Sequence, residues 1–180
     1  MKIFKVVVTG PESTGKTSLA KMLASHFNTV WMPEYARDYI SGLARKYDYD
    51  DIEIIAREQV RREKYYLSLA NDFLFYDTYL IITKVWFRVL YGRHPEWIDT
   101  AIQRSGIDLF LVCNTDIPWI PDPLRENGGQ MRSVLLQMYI DEINSYGIPW
   151  KMVSGKNEGR NSAAVEILYN HFNQEYSGLK

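Results

Sequence analysis

Residues 10–17 read GPESTGKT, a glycine-rich octet that ends in a lysine and a hydroxyl residue. The spacing G-x-x-x-x-G-K-[ST] is that of a phosphate-binding loop, and it stands between an apolar strand-like run and a helical pattern, as that loop requires. Gly10 and Gly15 allow backbone angles at which successive N–H groups converge on one phosphate. The octet therefore predicts a nucleotide site.

The side chains of the octet have predicted roles of their own. Lys16 is the charge expected on the β- and γ-phosphates, and Thr17 is the hydroxyl expected on Mg²⁺. The other residues predicted to contact the nucleotide are Gly10, Glu12, Ser13, Thr14, Gly15 and Ser18. The predicted cofactors are ATP and Mg²⁺.

ATP is favoured over GTP by the segment after a late apolar run. Guanine-specific phosphate-loop proteins carry Asn-Lys-x-Asp there, whereas this chain has Asn114-Thr115-Asp116-Ile117, which lacks the lysine and the spacing. We expect the adenine near Ser154–Arg160, held by backbone groups.

Acidic residues follow two other apolar runs. Asp77 comes after Phe73–Tyr76, the Walker B position for an aspartate near Mg²⁺, although an aspartate there also suits a helix N-cap. Glu34 follows the second run and is our first choice over Asp77 for the general base that deprotonates an acceptor hydroxyl. The alternative is that Glu34 only favours the positive end of a helix. Arg37 is predicted to bind substrate, or else to pair with a surface aspartate, Asp38 or Asp72.

A long segment, Asp116–Arg132, is predicted to form a lid loop. It is stiffened by prolines, ends in Gly128-Gly129 and carries Arg125 and Arg132, two guanidinium groups suited to a transferring phosphoryl group. Connections of this length inside a compact domain are usually functional. The alternatives are an ordinary surface connection and, for Arg132, a solvated position in the following helix.

Strand and helix patterns alternate along the chain and predict an α/β fold. The predicted strands are Ile3–Val8, Thr29–Met32, Phe73–Tyr76, Ile107–Val112 and Pro149–Val153. The predicted helices are Ser18–Phe27, Glu34–Lys46, Asp50–Ala70, Tyr79–Tyr91, a short one to about Arg104, Gln130–Tyr146 and Ser162–Tyr176. Crossover helices between strands give a parallel, doubly wound sheet. We predict one domain over residues 1–180, with the chemistry at the carboxyl ends of the strands.

Composition excludes some classes of protein. The 180 residues are 46% hydrophobic with a net charge of −1, so the chain can bury a core and shows no sign of a nucleic-acid or membrane surface. The single cysteine, Cys113, is expected in the core and suits a reducing, cytoplasmic compartment. A strand begins almost at the first residue, so we expect no signal peptide. The oligomeric state is open, a homo-oligomer included.

Four segments in order, GPESTGKT, PEYARDYI, FYDT and TDIPWIPDPLR, resemble the NadR-type ribosylnicotinamide kinase family over nearly the whole chain. The resemblance implies a P-loop kinase that uses ATP to phosphorylate the ribose 5′-hydroxyl of nicotinamide riboside, giving nicotinamide mononucleotide in NAD biosynthesis. The implied substrate-binding residues are Glu34, Tyr35, Arg37, Asp77 and Tyr79.

One residue departs from the family pattern. Family members often have Asp-Thr-Asp where this chain has Asp77-Thr78-Tyr79, which leaves the acceptor open. Four aromatic residues are candidates to line its pocket: Trp31, Tyr35, Tyr79 and Trp86. The rival interpretations are a kinase for another nucleoside or a small alcohol, and a regulatory ATPase with no acceptor.

Overall fold

Five parallel strands form one sheet in the computed structural model, which describes residues 2–123 and 125–173. The strands are β1 (Phe4–Thr9), β2 (Val30–Met32), β3 (Phe73–Asp77), β4 (Leu109–Cys113) and β5 (Trp150–Val153). Their order across the sheet is β2-β3-β1-β4-β5. The helices of the described residues are α1 (Lys16–His26), α2 (Tyr35–Ser41), α3 (Tyr49–Leu69), α4 (Leu80–Tyr91), α5 (Trp97–Arg104), α6 (Met131–Ser145) and α7 (Asn157–Phe172).

The continuous apolar runs are explained by burial on both faces of the sheet. On one face Val7, Tyr76 and Phe110 pack with α3, α4, α5 and α6. On the other, Val8 and Phe75 pack with α1 and α7. Each central strand must therefore be apolar at consecutive positions, as parallel strands between two helical layers are.

The predicted fold class, an α/β P-loop kinase fold with a five-stranded parallel sheet, is confirmed. The predicted boundaries of two helices were wrong. The helix predicted over Glu34–Lys46 ends at Ser41, because Gly42 closes it and the next residues turn into the N-cap of α3. The last helix begins at Asn157 and not at Ser162. Its predicted end, Tyr176, lies outside the described residues, and a single domain over residues 1–180 stays a prediction.

The strand order places the segments that carry chemistry side by side. Because β1 lies between β3 and β4, the loops that follow these three strands meet at one edge of the sheet. Cys113 is fully buried at the end of β4, in the core as predicted. Over the part of the chain that the structure describes, no helix has the length and apolar character to cross a membrane.

Candidate active site

The phosphate loop connects β1 to α1 through backbone conformations that few residues adopt. Gly10 has a φ of 140°, and a Cβ built there would stand 2.7 Å from the carbonyl oxygen of Cys113. Gly15, the N-cap of α1, is left-handed with a φ of 76°. The first glycine is thus required by the close approach of β4, and the second by the turn into the helix.

Lys16 and Thr14 both bond to the same carbonyl group inside the loop. The Lys16 Nζ donates to the Pro11 oxygen at 2.9 Å, and the Thr14 hydroxyl donates to it at 2.8 Å. The lysine side chain therefore folds over the loop on which the phosphates of a nucleotide are predicted to lie.

Thr17 and Asp77 meet beside this loop. The Thr17 hydroxyl donates to Asp77 Oδ2 at 2.6 Å, and Asp77 is 1% exposed at the end of β3. Burial raises the pKa of the Asp77 carboxyl, opposed by the Thr17 hydrogen bond and by the charge of Lys16. The second carboxylate oxygen, Oδ1, is buried and has no hydrogen-bond partner among the residues that the structure describes.

This unpartnered oxygen and the Thr17 hydroxyl fit a magnesium ion. Mg²⁺ takes hard oxygen ligands and usually keeps several waters, so one or two protein oxygens are enough to hold it beside phosphates. In the described residues no group of three or more His, Cys, Asp or Glu side chains forms a candidate metal cage.

Glu34 lines a pocket together with Thr78, the residue that directly follows Asp77 at the end of β3. The pocket encloses about 310 Å³ including its open side, and its lining combines one acid with amide, hydroxyl, aliphatic and aromatic groups: Glu34, Ala36, Ile55, Gln59, Thr78, Tyr79, Ile82, Thr83 and Trp86. The amide, hydroxyl and aromatic groups of this lining are of the kinds that bind the polar and flat parts of a small-molecule ligand.

The charge on Glu34 is set by its surroundings. Burial raises the pKa of its carboxyl, Lys16 and Arg37 oppose that rise, and Asp77 and Glu12 add to it. Glu34 is the N-cap residue of α2, but its side chain makes no capping hydrogen bond. The carboxylate therefore makes no capping bond to the backbone of α2, while its position at the N-terminus of that helix still allows a favourable interaction with the helix dipole, the alternative considered from the sequence.

The aromatic candidates divide between two places. Tyr79 and Trp86 line the pocket, and the Tyr79 hydroxyl donates to Glu63 at 3.2 Å. Tyr35 is not among the lining residues, since its ring is covered by the Arg62 guanidinium at 4.1 Å. Trp31 was wrongly expected there: it packs with the cluster on the opposite face of the sheet.

The lid loop lies over the phosphate loop. The Ser13 hydroxyl accepts the N–H of Ile120 at 3.0 Å. Glu12 accepts the N–H groups of Glu126 and Asn127, later in the lid. Arg37 pairs with Asp122 in the lid at 3.0 Å, and not with the surface aspartates considered from the sequence. The lid is therefore joined both to the phosphate loop and to α2.

The two lid arginines have different environments. Arg125 is partly exposed and donates to the lid carbonyl of Ile120 at 2.5 Å. Arg132, in the first turn of α6, is 7% exposed and donates to Ile117 at 3.0 Å and to Ser13 at 3.2 Å. A solvated Arg132 is thereby excluded. Within residues 2–123 and 125–173 its Nε has no hydrogen-bond partner, and burial lowers the pKa of its guanidinium.

Arg160 is a residue that the sequence did not indicate. It is 4% exposed on α7; its Nη1 donates to Asp116 at 2.8 Å, and its Nη2 donates to the carbonyls of Thr14 and Asn114 at 3.0 Å each. Asp116 also accepts the Gly155 N–H at 2.6 Å. These bonds join the phosphate loop to the turn where adenine is expected. An arginine in an amphipathic helix carries no local signal of such a role.

Together the glycine-rich loop, the Thr17–Asp77 pair and the order of the parallel strands define a P-loop protein of the kinase fold. Residues 5–160 match the family of AAA domains, and the chain belongs to that family. Two curated relatives are trifunctional NAD biosynthesis/regulator proteins NadR. The Salmonella typhimurium protein is 27% identical over 91% of this chain, and the Escherichia coli protein is 30% identical over 77%. The matched parts are 41% and 36% of those proteins, so the chain spans about two fifths of their length.

Solved structures show the same fold. A NadR protein in complex with NR superposes on 99% of this chain with a TM-score of 0.82 and 22% identity, over 54% of its own length. A thymidylate kinase from Candida albicans superposes on 97% of the chain, and on 94% of its own, with a TM-score of 0.70 and 14% identity. The chain therefore shares its architecture with kinases of nucleosides and nucleotides.

Proposed function

We propose that this protein is an ATP-dependent kinase that phosphorylates the ribose 5′-hydroxyl of nicotinamide riboside. One observation carries the proposal: Glu34 lines a pocket with polar and aromatic walls, and its carboxyl is close enough to Lys16 of the phosphate loop and to Asp77 to be influenced by their charges. A carboxylate at that point is placed to accept the proton of an attacking hydroxyl. A pure ATPase switch has no need of such a pocket.

Each residue has a defined task in this reaction. Lys16 and the loop N–H groups bind the β- and γ-phosphates, and Arg125 approaches the γ-phosphate from the lid. Glu34 takes the proton from the acceptor hydroxyl. The hydroxyl oxygen attacks the γ-phosphorus while the bond from that phosphorus to the ADP oxygen breaks. Asp77 and Thr17 would hold Mg²⁺. When bound, that ion neutralises charge that develops on the phosphate oxygens.

The acceptor is supported by similarity and by the pocket lining. The NadR relatives are NAD biosynthesis proteins, and one NadR structure of the same fold holds NR. Trp86 and Tyr79 provide aromatic surface for a flat ring, and Gln59 and Thr83 provide polar groups. Tyr79 stands where family members often have an aspartate, so this position has the strongest bearing on acceptor choice.

The test is transfer from γ-labelled ATP to nicotinamide riboside with Mg²⁺, beside a panel of ordinary nucleosides. We expect label in nicotinamide mononucleotide, much faster than in any panel member. Label in another nucleoside would keep the kinase and change its substrate, and label released only to water would favour a regulatory ATPase. Lys16→Ala and Arg125→Ala should each abolish turnover in a folded protein. Normal turnover by folded Lys16→Ala would refute the nucleotide site.

A further inference from the structure

Three hydrogen bonds join one phosphate-loop carboxylate to a short stretch of the lid. Glu12 Oε1 accepts the N–H of Glu126 at 3.3 Å, and Glu12 Oε2 accepts the N–H of Asn127 at 3.0 Å. The Asn127 side-chain amide adds a third bond to Oε1, at 3.2 Å. One carboxyl side chain thus fixes two consecutive lid residues, immediately after Arg125.

Glu126 is also held by a residue outside the phosphate loop. The Tyr47 hydroxyl donates to Glu126 Oε2 at 2.8 Å. The Tyr47 ring packs edge-on against Trp86, with ring centroids 4.9 Å apart, and the Trp86 Nε1 lies 3.4 Å from the Tyr47 oxygen. Trp86 is a wall of the pocket proposed to bind the acceptor. Glu126 is therefore the point at which the phosphate loop and the pocket wall meet.

The charges explain why these contacts matter. A carboxylate in a phosphate loop repels a nucleotide unless nearby donors offset its charge. The lid N–H groups are such donors, and hydrogen bonds to an ionised group are among the stronger ones. Burial and the bond to Glu126 raise the pKa of Tyr47 to about 12, so its hydroxyl remains a donor at neutral pH.

We propose that Glu12 and Tyr47 are positioning residues that fix the lid from its two sides and so bring Arg125 to the phosphates. Glu12 acts from the nucleotide site and Tyr47 acts from the pocket wall; neither touches the reacting atoms. Because Glu12 and Tyr47 both hold Glu126, each of the two ligands, nucleotide and acceptor, binds more tightly when the other is present. This coupling rests on the proposed function, whereas the lid attachment does not.

The attachment is tested on the ligand-free protein by hydrogen exchange of the Glu126 and Asn127 amides, measured by NMR. In Glu12→Gln an amide nitrogen replaces one acceptor, and in Tyr47→Phe the hydroxyl is lost while the ring remains on Trp86. We expect exchange on the order of tenfold faster at Asn127 in Glu12→Gln, and faster exchange at Glu126 in both variants. The controls are Glu166→Gln, on the exposed side of α7, and Tyr39→Phe, whose hydroxyl bonds to Asp51. Wild-type exchange rates in both test variants would overturn the proposal.

Coupling is tested by measuring the affinity for the ATP analogue AMP-PNP with and without nicotinamide riboside. We expect the wild type and Tyr39→Phe to bind the analogue several-fold more tightly with the riboside, and Tyr47→Phe to lose that gain while remaining folded. Glu12→Gln should lower kcat more than it raises the KM for riboside. Full coupling in Tyr47→Phe would refute its positioning role. If the riboside does not bind at all, the proposed function fails, and the exchange measurement alone decides the attachment.

Discussion

The Thr17 hydroxyl and the Asp77 carboxylate are 2.6 Å apart, although sixty positions separate them in the chain. Thr17 lies in the first turn of α1, and Asp77 is the last residue of β3. Their contact exists because β1 and β3 are neighbours, paired in parallel from Phe4 with Phe73 to Val8 with Asp77. The pair leaves Asp77 Oδ1 buried without a hydrogen-bond partner in the described part of the chain, which is the strongest structural support for a bound cation.

Asp77→Asn should weaken the magnesium dependence of nucleotide binding. The substitution keeps the size of the side chain and removes the charge, so we expect the affinity for Mg²⁺ with nucleotide to fall by roughly 10- to 100-fold. Titration of AMP-PNP with and without Mg²⁺ measures the effect. Binding without Mg²⁺ should be unchanged or tighter, since a negative charge near the phosphates is lost. Equal magnesium dependence in variant and wild type would exclude Asp77 from the metal site.

Glu34 should give turnover an acidic limb at higher pH than an ordinary glutamate would. Burial raises its pKa, and only the ionised form accepts a proton, so activity is lost as the pH falls through that raised value. Glu34→Gln should lower kcat by about 10² to 10⁴ and abolish this limb. The measurement is kcat against pH for both proteins, with Glu166→Gln as control. An acidic limb that persists in Glu34→Gln would assign the base to another group.

The pH dependence of stability gives a second, independent measure of the Glu34 pKa. A raised carboxyl pKa means that the folded state binds the proton more tightly than the unfolded state does. The contribution of Glu34 to the free energy of unfolding is therefore fully present at a pH below the ordinary glutamate pKa. It is lost as the pH rises through the raised pKa of the folded state. Glu34→Gln should remove this part of the pH dependence of the free energy of unfolding, as measured by urea denaturation at several pH values. An unchanged dependence would show that the Glu34 pKa is the same in both states.

Arg160→Met should destabilise the protein and weaken nucleotide binding. The variant leaves Asp116 without its cation and the carbonyls of Thr14 and Asn114 without a donor. Losing a buried, hydrogen-bonded charge costs about 3–5 kcal/mol, which is about 10 °C in Tm for a chain of this size. Arg61→Met is the matched control, since Arg61 is exposed and pairs with Glu58 on the same helix. Arg61→Met should cost far less, because an exposed ion pair contributes little to stability, and a similar cost for both variants would refute the role of Arg160.

Gly10→Ala and Gly159→Ala should change stability in opposite directions. At Gly10 an added Cβ meets the Cys113 carbonyl oxygen at 2.7 Å and φ is 140°, so we expect a loss of about 2 kcal/mol or more, with loss of nucleotide binding. Gly159 lies in the first turns of α7 with no atom within 4 Å of an added Cβ, and alanine should stabilise it by roughly 0.5–1 kcal/mol. Chemical denaturation of the two variants decides this. Tolerance of alanine at Gly10 would mean that the loop and β4 are not in contact.

Local sequence determined the fold class and the phosphate loop. Five apolar runs separated by helical patterns require a parallel sheet covered on both faces, because only that arrangement buries consecutive apolar residues. The octet at residues 10–17 predicts its own conformation, because its glycines, lysine and threonine are adjacent in the chain. The last residue of α2 and the first residue of α7 could not be predicted from the sequence, since helix boundaries depend on caps and turns as much as on apolar spacing.

Tertiary structure alone decided which distant groups meet. The pairing of Arg37 with Asp122 joins residues 85 positions apart, the bond from Asn127 to Glu12 joins residues 115 apart, and the bond from Arg160 to Thr14 joins residues 146 apart. Hydrogen bonds and ion pairs act over a few ångströms, and neither composition nor periodicity specifies which side chains come that close. The sequence by itself could place a phosphate loop, two acids and a lid at one edge of a sheet. Only the packing of α2, α6 and α7 around that edge determined how the lid is held and which arginine is buried beneath it.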